Sequence, residues 1–131
     1  MISDIRRILL VEDSPEDVEL TLAALAEHRV LNEVIVLRDG AEALDYLFRR
    51  GRYEDRQGSN PACVLLDLKM PKVDGLEVLR SVKSDDLLKT IPIVMLTSSR
   101  EERDLVASYR SGANAYVVKP VAFPDFVDAV K

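Results

Sequence analysis

Five short apolar runs recur along this chain, and their shape restricts the fold more than any other feature. They are Ile8-Leu9-Leu10-Val11, Val34-Ile35-Val36-Leu37, Cys63-Val64-Leu65-Leu66, Pro92-Ile93-Val94-Met95-Leu96 and Ala115-Tyr116-Val117-Val118. A strand with one wet face alternates apolar and polar residues. These runs do not, so each reads as a strand buried on both faces, the kind found in a parallel sheet. Parallel neighbours need long crossover connections, and helical periods lie between the runs.

Ser14-Pro15-Glu16-Asp17 reads as a helix start: a cap, a proline at the first helical position and acids facing the positive end of the helix dipole. Val18, Leu22 and Leu25 form its apolar face, which fades by His28-Arg29; His28 is expected to be solvated near the helix end. Asp39-Gly40 turns into a second helix with Ala41, Leu44, Leu47 and Phe48 on one side. Asp74 or Gly75 starts a third with Leu76, Leu79 and Val82. Arg100 to Ser111 reads as a fourth, with Leu105, Val106 and Tyr109 inward and Gly112 as its stop. Phe123, Phe126, Val127 and Val130 suggest a short last one. The stretch from Arg49 to Asn60 is polar and punctuated by glycine, and is expected to be a long surface loop closed by Pro61.

The expected fold class is therefore α/β: a doubly wound five-stranded parallel sheet with helices on both faces. A sheet of this size most often takes the flavodoxin-like order 2-1-3-4-5. The 131 residues make one domain, 1–131, with room for a real core. With 47% hydrophobic and 31% charged residues the composition is that of a soluble globular chain. The net charge of −5 is interspersed rather than segregated, which argues against direct nucleic-acid binding. The single Cys63 excludes an internal disulfide, fits a reducing compartment and reads as structural. Only four apolar residues follow the N-terminal charges, too few for a signal peptide or membrane span, so the cytoplasm is expected and a membrane partner is not.

Four of the five runs end on a group that can do chemistry: Glu12-Asp13 after the first, Asp67 after the third, Thr97 after the fourth and Lys119 after the fifth. Open parallel sheets bind ligands outside these strand ends. Any one of these residues alone could be a cap or a solvated charge. Four strand ends agreeing by accident is far less economical. Carboxylates brought together repel unless a hard cation sits among them, so the cluster calls for Mg²⁺, or Mn²⁺ as a similar oxygen-seeking ion. A lysine and a hydroxyl opposite that ion suit a phosphoryl group, whose transfer needs positioning and charge neutralisation above all. A carboxylate is a competent attacker on phosphorus.

As an ordered set these motifs resemble the receiver domain of bacterial two-component response regulators. The set comprises Glu12-Asp13, Asp67 within Leu66-Asp67-Leu68-Lys69-Met70-Pro71, Asp74-Gly75, Thr97-Ser98 and Lys119-Pro120, with thirty residues from Asp67 to Thr97 and fifty-two from Asp67 to Lys119. The resemblance implies that Asp67 accepts a phosphoryl group from a sensor histidine kinase. It implies that Asp13, Asp67 and the Lys69 backbone carbonyl hold Mg²⁺ directly, with Glu12 reaching it through water. It makes Lys119 the partner of the phosphoryl oxygens, Thr97 and Tyr116 a switch pair, and Ser98 a small neighbour that leaves the site open. Such a protein is a phosphoacceptor that catalyses only its own phosphorylation and dephosphorylation. The Arg49 to Asn60 insert is similar to that of single-domain regulators partnered with bacterial and cyanobacterial phytochromes. The last helix is shorter than the family usually has, which leaves monomer and homodimer both open.

Two other classes share parts of this pattern. Magnesium-dependent phosphatases with an aspartyl nucleophile place a second Asp two residues on, where this chain has Lys69. Flavin modules of the same architecture need a Ser, Thr and Gly-rich loop after the first strand, whereas Glu12 to Asp17 would repel a phosphate.

Overall fold

The computed structural model describes residues 7–27, 33–68, 70, 73–97, 110, 112–113 and 115–118. Their elements run in the order β1 (Ile8–Val11), α1 (Pro15–Glu27), β2 (Val34–Leu37), α2 (Gly40–Phe48), a 3₁₀ turn (Gly51–Tyr53), β3 (Cys63–Asp67), α3 (Gly75–Lys83), β4 (Ile93–Thr97) and β5 (Ala115–Val118). The strands pair in parallel in the order β2-β1-β3-β4-β5. Leu10 stands beside Val36 on one side and Leu65 on the other, and Leu65 beside Val94. Among the described residues the expected helices over 100–111 and from 123 onward are not represented beyond Arg110, and His28 also lies outside them.

Alternate residues of the central strands feed two separate cores, as the period of two requires. Ile8, Leu10, Leu65, Val94, Leu96 and Val117 pack with Val18 and Leu25 of α1 on one face. Leu9, Val11, Val64, Leu66, Ile93 and Met95 pack with α2 and α3 on the other. Every residue of β1 and β4 is buried, while Val34, Ile35 and Val36 of the edge strand β2 are half-buried. Fully burying one such side chain is worth about 1.5–3 kcal/mol, so the uninterrupted apolar runs are what hold the sheet between its two layers.

Each described helix starts on a side-chain cap. The Ser14 hydroxyl accepts from Asp17 N at 3.3 Å, Asp39 accepts from Glu42 N at 2.8 Å, and Asp74 accepts from Glu77 N at 3.0 Å. Asp74 thus has the plain role of a cap, satisfying one of the donors that every helix N-terminus leaves over.

The helix faces include most of the residues expected and extend beyond them: Val18, Leu25, Leu47, Leu79 and Val82 are buried, and Leu22, Leu44, Phe48 and Leu76 pack half-buried on the cores. In α2 the buried residues are Gly40, Ala43, Tyr46 and Leu47, while Ala41, Leu44 and Phe48 are half-buried. In α3 they are Gly75, Val78, Leu79 and Val82, with Leu76 half-buried; in α1 Thr21 is buried as well, next to Leu22, which packs half-buried on the core. In α2 the added burial includes Gly40 and Tyr46. Gly40 lies against the Val73 carbonyl, and the Tyr46 ring turns inward to carry the insert.

That insert is not the bare loop expected. Arg49 ends α2 in the left-handed conformation at φ 55, and its guanidinium donates to the carbonyls of Arg56 and Gly58. Arg56 lies 4.3 Å over the Tyr46 ring and donates to the Tyr46 carbonyl at 2.9 Å and to the Ser59 carbonyl at 3.3 Å. Tyr53 from the 3₁₀ turn meets Tyr46 edge-on at 5.2 Å. Arginine forks and ring faces order this segment where apolar periodicity is lacking.

Candidate functional site

β1 and β3 are neighbours, with Val11 beside Leu66, so their C-terminal ends deliver Glu12-Asp13 and Asp67 to one place. The strand ladder positions each one. Glu12 N donates to the Leu37 carbonyl at 2.9 Å, and Leu68 N, just past Asp67, donates to the Leu96 carbonyl at 2.8 Å. Glu12, Asp13 and Asp67 each offer a carboxylate oxygen, and these three lie within 4.8 Å of one another. Glu12 is fully buried and Asp67 is 4% exposed, whereas Asp13 is open to solvent.

Two negative charges at that separation repel by about 1 kcal/mol in bulk water and by about 3–4 kcal/mol at the effective dielectric of a partly buried site. Ser14 N donates to Glu12 Oε2 at 3.2 Å, which offsets part of this for one carboxylate. A divalent cation offsets it for all three. The donor set is oxygen only, which fits Mg²⁺, Mn²⁺ or Ca²⁺ and not a thiolate- or imidazole-seeking metal.

On the other flank of β3, Asp67 stands beside Leu96, so Thr97 ends the neighbouring strand one residue further on. Thr97 is 3% exposed. Tyr116 stands beside Met95 in the β4–β5 ladder. Lys69, Pro71, Ser98, Lys119 and Pro120 lie outside the described residues. Of the residues singled out from sequence, the structure therefore brings together Glu12, Asp13 and Asp67, with Thr97 at the adjacent strand end. Ser14 is a contributor that sequence reading saw only as a helix cap. Its place two residues after Glu12, where the chain must turn from strand to helix, is the signal that its N–H faces back to the carboxylate.

Cys63 is half-buried, and desolvation pushes its thiol up to about 11, so at neutral pH it is an inert neutral group. Among the described residues no helix is long and apolar enough to cross a membrane.

Residues 8–131 match the family described as the response regulator receiver domain. The response regulator Rcp1 of Synechocystis sp. (strain ATCC 27184 / PCC 6803 / Kazusa) is 42% identical over 124 residues, 95% of this chain and 83% of that protein. The solved Mn²⁺-bound form of Rcp1 superposes with a TM-score of 0.81 at 42% identity, covering 95% of this chain and 88% of that one. The bacteriophytochrome response regulator AtBRR is 62% identical with a TM-score of 0.91, covering 98% of this chain and 91% of its own. The phosphorylated cyanobacterial phytochrome response regulator RcpA gives 43% identity and a TM-score of 0.81 over 96% and 89% of the two chains.

Proposed function

The chain belongs to the response regulator receiver family, and on that premise we propose that it is a single receiver unit, residues 1–131, that accepts a phosphoryl group on Asp67 from a sensor histidine kinase. The observation that carries this reading is the meeting of the Glu12, Asp13 and Asp67 carboxylates within 4.8 Å at the C-terminal edge of the sheet. An Asp67 carboxylate oxygen attacks phosphorus. The bond from phosphorus to the kinase histidine nitrogen breaks, its electron pair stays on the imidazole, and a proton from solvent restores the neutral ring. The product is an acyl phosphate on the protein itself, with the kinase phosphohistidine as the donor.

Asp13, Asp67 and the Lys69 carbonyl would hold Mg²⁺ or Mn²⁺, and Glu12 would reach it through water. When bound, the ion neutralises charge on the transferring group. Glu12, buried and accepting from Ser14 N, holds its carboxyl group fixed behind the site. Thr97 donates a hydrogen bond to a phosphoryl oxygen, and Lys119 pairs with another. Once Thr97 is drawn to the phosphoryl group, Tyr116 follows as the second member of a switch, changing the surface that a partner reads. The bias between the two states is limited to the differential interaction of that one added group.

The relatives named as phytochrome and bacteriophytochrome response regulators support a phytochrome kinase as the donor, and the reading places the exchange in the cytoplasm. The test is phosphotransfer from an autophosphorylated bacteriophytochrome kinase carrying labelled phosphate. Label should move to the wild-type chain and leave the kinase, and Asp67→Asn should take none. Transfer to Asp67→Asn at the wild-type rate would overturn the assignment.

A further inference from the structure

Two Asp-Gly pairs, Asp39-Gly40 and Asp74-Gly75, open α2 and α3, and in both the aspartate is the cap. The glycines are not needed for backbone conformation: the described glycines with positive φ are Gly51, Gly58 and Gly112. They are needed for space. A Cβ at Gly75 would collide with the Asp67 carbonyl oxygen and come 2.9 Å from Leu68 Cα. A Cβ at Gly40 would collide with the Val73 carbonyl oxygen and come 2.9 Å from its carbon and 3.0 Å from Val73 Cβ. The nearest atoms at both positions belong to backbone, so no change of rotamer relieves the overlap; the helix or the loop must move.

The loop so bracketed is the one that leads out of Asp67. Its near end is tied by Leu68 N to the Leu96 carbonyl at 2.8 Å, and it closes on itself through Gly75 N to the Leu68 carbonyl at 2.9 Å. Gly75 lies on its first residues and Gly40, from a different helix, on Val73. We infer that Gly40 is a positioning residue for the phosphoacceptor site: its bare Cα lets the start of α2 seat on Val73, next to the start of α3, whose Gly75 in turn lies against the backbone of Asp67 and Leu68. The inference rests on the proposed reading of that site as a Mg²⁺ and phosphoryl site.

The test compares Gly40→Ala with Ala41→Gly, which weakens the same helix without adding an atom toward Val73. Amide resonances of the metal-free protein and a Mg²⁺ titration are recorded on each. In Gly40→Ala the amides of Leu68, Val73 and Gly75 should shift before any metal is added, and Mg²⁺ affinity should fall by about tenfold, the usual size of effect when a metal ligand's support is disturbed. Phosphorylation by a small phosphodonor should recover at saturating Mg²⁺. Ala41→Gly should lower the melting temperature while leaving those amides and the affinity at wild-type values. Unmoved amides in Gly40→Ala, or equal losses of affinity in the two variants, would overturn the inference. Should Gly40→Ala fail to fold, Val73→Gly keeps the carbonyl that Gly40 meets but removes the side chain beside it and frees the backbone that Gly40 holds, so it should weaken Mg²⁺ binding; wild-type affinity there would overturn it equally. If the wild-type protein itself gives no Mg²⁺ response, the proposed function fails and the metal-free amide shifts alone decide the role of Gly40.

Discussion

Glu12 and Asp13 are adjacent in the chain and opposite in burial, and that contrast divides their work. Glu12 has no exposed surface and accepts from Ser14 N, so Glu12→Gln keeps its shape and one oxygen that can accept that hydrogen bond. Asp13 faces solvent and is the one of the three carboxylates open to an ion from outside. Asp13→Asn is expected to weaken Mg²⁺ binding by about tenfold or more, roughly 1.4 kcal/mol, and Glu12→Gln by distinctly less; calorimetric titration of both variants checks this, and equal losses would contradict the division. The acids themselves were legible in the sequence, because an apolar run that stops on a carboxylate must put it at a strand end. Their burial was not, since it depends on how α1 leaves the sheet over Ser14. Cys63 gives a pH prediction. Its folded pKa of about 11 lies above the ordinary value of 9.0, and burial disfavours the thiolate. The unfolded thiol ionises first as pH rises, so its contribution to stability is whole below about 9 and is lost between about 9 and 11. The stability difference between wild type and Cys63→Val, followed by urea unfolding across that window, should shift against wild type; a flat difference would contradict it.

The helices and the insert show where sequence patterns reach their limit. The existence of α1, α2 and α3 was legible from caps and periodicity, and Ser14, Asp39 and Asp74 cap as their residue types suggest. The apolar period found Leu44 and Phe48, which pack half-buried on the core, and missed Tyr46, which is buried because its ring carries the insert. The order in the insert was invisible for a different reason. It is built from guanidinium donors on backbone carbonyls and from Arg56 on the Tyr46 ring, and neither has an apolar period. The same kind of tie recurs after α3, where Lys83 Nζ donates to the carbonyls of Lys89 at 3.0 Å and Ile91 at 2.8 Å, and burial lowers its pKa. Arg56→Met removes the donors and leaves the stem, so the insert should come loose while the sheet stays folded. Trypsin, which cuts after arginine, should then cleave at Arg50 and Arg52 much faster than in wild type, as read by mass spectrometry of the fragments. Unchanged cleavage would mean that the insert is ordered by something else.

At the scale of the whole molecule, two apolar layers fix a parallel sheet whose C-terminal edge carries the acidic cluster, and the layered architecture was legible because the five runs have no polar alternation. The sequence also placed Thr97 one strand from Asp67, where the structure has it buried at the end of β4. If Thr97 carries the signal outward, Thr97→Ala should still accept phosphate yet lose most of the phosphorylation-dependent change in partner affinity; a full change retained would route the signal elsewhere. All of this depends on one event at one carboxylate. The direct measurement is intact mass spectrometry of the protein incubated with a small phosphodonor, with Mg²⁺ or with a chelator, followed by peptide mapping. The account predicts a single added phosphoryl group, labile to base, present with Mg²⁺, nearly absent with chelator, and mapped to Asp67. Modification that ignores the chelator, or that persists in Asp67→Asn, would contradict it.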